Sequence, residues 1–212
     1  MKQKINVGPA DALVVVDMQN DFMPGGSLAV PKGNEVVPII NRIARCVPNL
    51  IITEDWHPAW HSSFASAQLN KQPFEKIMLS YGEQMLWPDH CVQGTKGAEL
   101  HAALSLPHAQ LIIRKGYRWN VDSYSAFAEA DGTPTGLTGY LRERGIKQLF
   151  FVGLATDFCV AWSALDARKT GFGAVVIEDA CRAIDLDGSL ARAWESMTEL
   201  RVGRIHSSAI LG

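Results

Sequence analysis

Cys159 lies in the segment Gly153-Leu154-Ala155-Thr156-Asp157-Phe158-Cys159-Val160, where an apolar run meets a short polar turn. A strand entering a helix there puts the thiol in the first helical turn, with Thr156 or Asp157 as the cap. The helix dipole and nearby cations then favour thiolate. The plainer reading is a buried structural cysteine, the commoner state of an intracellular thiol. Two residues tilt the choice. Asp17 follows the apolar run Ala12-Leu13-Val14-Val15-Val16, and Lys115 closes Leu111-Ile112-Ile113-Arg114. Thiol, ammonium and carboxylate together supply a nucleophile, a stabilising cation and a proton acceptor. Amides at Ala155 and Cys159 can bind an oxyanion beside them.

A second cluster is Asp55-Trp56-His57-Pro58-Ala59-Trp60-His61, with His90 downstream in Trp87-Pro88-Asp89-His90-Cys91. Alternate positions of an extended chain face one way, so Asp55 and His57 share a side. Carboxylate and imidazole suit zinc, iron or manganese. The spacing is not a self-sufficient zinc signature, and histidines that only brace a loop are the alternative. Phe22, Trp87, Tyr124 and Phe127 form an aromatic set. Each is core material by type, but Phe22 and Trp87 stand near the acid and imidazole motifs, where an apolar ligand slot needs walls. Gly25-Gly26 and Gly33 are turn glycines, and no phosphate-binding glycine loop is present.

Residues this far apart in sequence need a frame to bring them together. Five continuous apolar runs supply one: Ala12–Val16, Leu50–Thr53, Leu111–Ile113, Leu149–Val152 and Ala174–Ile177, with a weaker sixth near Val202–His206. Continuous rather than alternating runs suit strands covered on both faces. Helical spacing appears over Asn34–Cys46, with Pro38 in the first turn, where proline is tolerated. Further helices are expected at Thr138–Arg144, Asp157–Lys169 and Ser189–Leu200, with Gly145, Gly171 and Gly203 beyond them. This alternation predicts a three-layer α/β/α fold around a mostly parallel sheet, whose ligands sit beyond the carboxyl ends of its strands. Residues 1–212 read as one domain, interrupted by a long insertion at about 55–107 rich in His, Trp, Pro and Gly; such insertions are usually functional.

The chain's 212 residues carry 20 basic and 22 acidic side chains, a formal charge of −2. No basic surplus exists for nucleic acid or an anionic membrane surface. Neither a signal peptide nor a spanning segment is legible. Cys46, Cys91, Cys159 and Cys181 are irregularly spaced without a CxxC pair, which predicts reduced thiols and a cytoplasmic setting.

The motifs together resemble the nicotinamidase/pyrazinamidase family of isochorismatase-like cysteine hydrolases. The carrying segments are Val16-Asp17-Met18-Gln19-Asn20-Asp21-Phe22, Gly25-Gly26-Ser27-Leu28, Thr53-Glu54-Asp55-Trp56-His57-Pro58 and Trp87-Pro88-Asp89-His90-Cys91-Val92-Gln93-Gly94-Thr95. Arg114-Lys115-Gly116, Asp122-Ser123-Tyr124-Ser125-Ala126-Phe127 and the Gly153–Val160 turn complete the set. The likeness runs from about Asp11 to Ile205. It implies a six-stranded sheet, a catalytic triad of Asp17, Lys115 and Cys159, and a cis peptide between Leu154 and Ala155. It also implies one divalent metal ion (zinc, iron or manganese) on Asp55, His57 and His90. His61 matches a position that ligates metal in some members only. The implied reaction is hydrolysis of nicotinamide to nicotinate and ammonia in NAD salvage, with pyrazinamide as a second substrate. Phe22 and Trp87 would sandwich the ring, with Leu28 and Tyr124 closing the slot and the metal, or its bound water, anchoring the ring nitrogen. The likeness implies a small-molecule partner and leaves self-association open. Rival readings are an amidase of carbamoyl or ureido compounds, a noncatalytic relative, and a metal-only hydrolase with a structural Cys159.

Overall fold

A computed structural model describes residues 4–211. In chain order the elements are β1 (Asp11–Val16), α1 (Val37–Ala44), β2 (Asn49–Asp55), β3 (Lys76–Leu79), β4 (Gly82–Met85) and β5 (Leu111–Lys115). There follow α2 (Leu137–Glu143), β6 (Gln148–Leu154), α3 (Ala161–Lys169), β7 (Gly173–Arg182), α4 (Ser189–Glu199), β8 (Gly203–Ile205) and α5 (Ser208–Leu211). Six strands form one sheet in the order β5-β2-β1-β6-β7-β8, with every pairing parallel.

Strand alternation explains the three layers. Ala12, Val14 and Val16 of β1 pack on one face with Leu137 and Leu141 of α2, Ala161 and Ala164 of α3, and Met197 of α4. Leu13 and Val15 pack on the other with Val37, Ile40 and Ile43 of α1 and Ile210 of α5. Both faces of β1 are thus covered, which is why its sequence is apolar without interruption. Each fully buried Val or Leu contributes about 1.5–3 kcal/mol of burial free energy.

The helices differ from their expected spans for local reasons. The first begins as a 3₁₀ turn over Gly33–Val36, and α1 proper starts at Val37 with Pro38 in its first turn. The expected helix from Asp157 is split: Thr156–Val160 forms one wide π turn before α3 begins at Ala161. β7 runs on to Arg182, past the acidic Glu178-Asp179.

The insertion between β2 and β5 contains a two-stranded antiparallel hairpin, β3–β4, that the apolar pattern does not announce. Its four-residue strands are partly exposed and joined through Ser80-Tyr81. A strand so short carries too few alternations to read as one. Among the described residues, no helix is long and apolar enough to cross a membrane.

Candidate active site

The sheet order does the assembling. β1 and β6 are neighbours, but chain direction diverges from them: β1 leads outward to β2 and β5, and β6 outward to β7 and β8. Their carboxyl ends therefore flank a switch point, the usual place for a crevice in an open α/β sheet. Lys115 ends β5, Asp55 ends β2, Asp17 follows β1, and the Gly153–Cys159 turn follows β6. Asp55 and Lys115 are register partners, as are Val16 and Gly153. Close approach is enforced at Gly153, where φ is +113° and a Cβ would lie 2.1 Å from the Val16 carbonyl oxygen.

Lys115 is fully buried at the centre. Its ammonium lies 2.7 Å from Asp17 Oδ2, contacts Asp55 Oδ1, and stands 3.3 Å from Cys159 Sγ and 3.4 Å from the Ser123 carbonyl. Burial opposes its charge, but Asp17 and Asp55 outweigh burial and hold the ammonium protonated well beyond the usual lysine range. Asp17 adopts a left-handed backbone, φ 49°, where its Oδ1 accepts a 2.6 Å hydrogen bond from Thr53. Its other oxygen, Oδ2, is buried and accepts no aligned hydrogen bond, so it is open to a proton. Burial raises the Asp17 pKa against the pull of Lys115, while at Asp55 burial is outweighed by Lys115 together with His57 and His90, which lower that one well below the usual range.

Cys159 differs from the expectation of a resting thiolate. Burial pushes the thiol pKa well up, and Lys115 offsets only part of this because Asp17 and Asp55 add negative charge. Burial thus works against the thiolate, and the Asp17 carboxylate stands beside the thiol. Nor does the turn carry the expected cap: neither Thr156 nor Asp157 caps by side chain. The Asp157 carboxylate instead accepts hydrogen bonds from the Ile184 and Asp185 amides and the Ser189 hydroxyl, tying the Cys159 turn to the loop after β7. The Leu154–Ala155 peptide is cis.

Asp55 serves two clusters. While Oδ1 meets Lys115, Oδ2 lies 3.8 Å from His57 Nε2 and 3.6 Å from His90 Nε2. These separations are long for hydrogen bonds but near the spacing of ligands around one ion, about 3–3.5 Å for bonds of about 2.0–2.2 Å. The far nitrogens are committed: His57 Nδ1 donates to the Gly116 carbonyl at 3.0 Å and His90 Nδ1 to the Pro88 carbonyl at 2.8 Å. A proton on each Nδ1 leaves two Nε2 lone pairs aimed at a carboxylate, an arrangement that a cation satisfies. The three buried residues fit a divalent metal ion. His61 is held differently. Its Nδ1 pairs with the Ser63 hydroxyl at 2.7 Å and its Nε2 donates to the Val121 carbonyl at 3.1 Å. Burial, then His57, lowers its pKa to about 4, so it is neutral with no free lone pair.

Beside both clusters a narrow cavity is walled by Phe22, Leu28, Trp87, Tyr124 and Phe158, with Asp55, His57, His90, Ala155 and Cys159 exposed to it. Trp87 stands edge-on to Phe158 at 5.0 Å and to Tyr124 at 6.3 Å. Phe127 is elsewhere, packed against Phe172 in the core.

An isochorismatase-domain family model matches residues 11–209. The chain belongs to the isochorismatase family. Within it, the chain is 58% identical over all of its 212 residues to a nicotinamidase of Acinetobacter baylyi, covering 97% of that protein. A solved nicotinamidase/pyrazinamidase of Acinetobacter baumanii superposes with a TM-score of 0.94 at 58% identity, over 95% of this chain and 98% of that one. A pyrazinamidase of Pyrococcus horikoshii solved in complex with zinc does so with a TM-score of 0.77 at 36% identity, over 93% and 99%. In this isochorismatase-family chain the cavity has three lining residues to which sequence reasoning gave no role: Asp122, Phe158 and Ile184. Phe158 had a signal only in its place next to Cys159 in the motif. Ile184 had none, because only the Asp157 contact brings its loop there.

Proposed function

We propose that this isochorismatase-family enzyme is a nicotinamidase that hydrolyses nicotinamide to nicotinate and ammonia by thiol catalysis at Cys159, serving NAD salvage, and that it also accepts pyrazinamide. The carrying observation is the contact of thiol, ammonium and carboxylate beside a small aromatic cavity that Asp55, His57 and His90 also line.

Asp17 Oδ2, raised in pKa and lacking an aligned donor, takes the thiol proton as Sγ attacks the carboxamide carbon. Lys115 meets both groups, so its charge stabilises the thiolate as it forms. Negative charge moving to the carbonyl oxygen is received by the amides of Ala155 and Cys159. Collapse breaks the C–N bond, and Asp17 returns the proton to the departing nitrogen as ammonia. Asp17 then deprotonates a water that attacks the thioester, releasing nicotinate and restoring the thiol. Phe22 and Trp87 hold the ring flat, with Leu28 and Tyr124 bounding it. Asp55, His57 and His90 would hold one divalent ion, which supplies a Lewis acid to anchor the ring nitrogen. His61 is left out of that set. Four unpaired cysteines support a reducing, cytoplasmic setting.

The test is ammonia release from nicotinamide by the purified enzyme and by Cys159→Ala. The wild type should be active and the variant folded but inert. An active variant removes Cys159 from the chemistry; a wild type that cleaves a ureido compound and neither ring amide overturns the nicotinamidase reading.

A further inference from the structure

Gln84 lies on β4 of the hairpin and is buried, although Glu83 beside it is exposed. Its side-chain nitrogen stands 2.6 Å from the Met85 carbonyl, 2.9 Å from Asp122 Oδ2 and 3.1 Å from the Tyr124 hydroxyl oxygen. Carbonyl and carboxylate only accept, so the NH2 must face them; the Gln84 oxygen correspondingly accepts from the Tyr81 hydroxyl at 3.1 Å. Trp87 Nε1, which only donates, reaches the same Tyr124 oxygen at 2.9 Å. Neither polar neighbour of the Tyr124 hydroxyl can therefore accept a hydrogen bond from it, Gln84 sharing its two N–H groups among three acceptors. Its own hydrogen has no acceptor in this network, and Tyr124 lines the cavity.

We infer that Gln84 is a positioning residue for the ligand. It fixes Tyr124 and Asp122 in the cavity wall, and it keeps the Tyr124 hydroxyl as a donor for an acceptor atom of a planar ring carboxamide. The inference rests on the cavity being the nicotinamide site. Nothing in Gln84 touches Cys159, Lys115 or Asp17, so its contribution falls on binding and not on bond cleavage. The hairpin thereby becomes a specificity element: a segment outside the main sheet sets the polarity of one wall of a pocket built at the sheet's edge.

Steady-state kinetics on nicotinamide with Gln84→Met tests this. Methionine fills similar volume and has no donor, so a purely space-filling role survives the change. The expected result is a KM raised roughly five- to ten-fold with kcat within about two-fold, the pattern of lost uniform binding. Gln84→Glu should raise KM further, because a carboxylate there faces Asp122 and can accept the Tyr124 proton. Should Gln84→Met fail to fold, Tyr124→Phe removes only the hydroxyl and should give the same KM-selective loss. An unchanged KM, or a fall in kcat with KM intact, in whichever of these two variants folds overturns the inference while leaving the nicotinamidase reading in place. A wild-type enzyme that releases no ammonia from nicotinamide overturns both.

Discussion

Replacing Gly116 by alanine should weaken divalent-ion binding at the proposed Asp55–His57–His90 site while leaving Cys159 in place. Gly116 follows Lys115 directly, has φ +66°, and accepts the His57 Nδ1 hydrogen bond on its carbonyl. A Cβ there would lie 2.4 Å from His57 Cε1 and 2.6 Å from Nδ1, where ordinary contact begins at 3.4 Å. The imidazole must give by about 1 Å, the difference between those contacts. It has no room, since the rings of His61, His90 and Phe64 stand 4.5, 4.9 and 5.4 Å away, centroid to centroid. The left-handed backbone costs about 1–2 kcal/mol for alanine and the overpacking a further ~1–3 kcal/mol. The sum, about 2–5 kcal/mol, should lower Tm by roughly 5–15 °C in a chain of this length. Misaiming Nε2 should weaken metal affinity by roughly 10–100-fold. Thermal unfolding and competitive metal titration read the two effects separately, and a Gly116→Ala protein with unchanged Tm and metal affinity would refute the steric argument.

Three further outcomes follow from the same geometry. Lys115→Met leaves Asp17 and Asp55 as buried, unpaired carboxylates, so denaturant unfolding should show a loss of about 3–5 kcal/mol along with lost turnover; stability equal to wild type would mean the ion pairs are not formed as described. Iodoacetamide should label the exposed Cys46 ahead of buried Cys159 by peptide mass spectrometry, and nicotinamide should protect Cys159 alone; labelling of Cys159 first would indicate a resting thiolate. Benzamide lacks the ring nitrogen that the metal is proposed to anchor and should be hydrolysed far more slowly than nicotinamide or pyrazinamide, with equal rates removing the metal–nitrogen contact from the mechanism.

The sequence by itself determined the sheet and the chemistry it displays. Uninterrupted runs such as Ala12–Val16 and Leu149–Val152 suit strands covered on both faces, and the polar residues that end such runs then lie along one edge of a parallel sheet. Asp17, Asp55, Lys115 and Cys159 were legible for that reason, and the motif resemblance added His57 and His90 with their roles. Protonation was not legible. The turn around Cys159 suggested a thiolate, but burial opposes that charge, joined by two carboxylates arriving from β1 and β2 that only sheet order makes neighbours. His61 was equally undetermined, since both of its nitrogens are taken by Ser63 and by a carbonyl 60 residues away. The β3–β4 hairpin escaped notice because its strands are too short to show a period, and the role of Gln84 exists only through contacts with Asp122 and Tyr124, 38 and 40 residues on. Local pattern carries the elements and their ends, whereas the state of a buried polar group depends on what the tertiary structure puts against it.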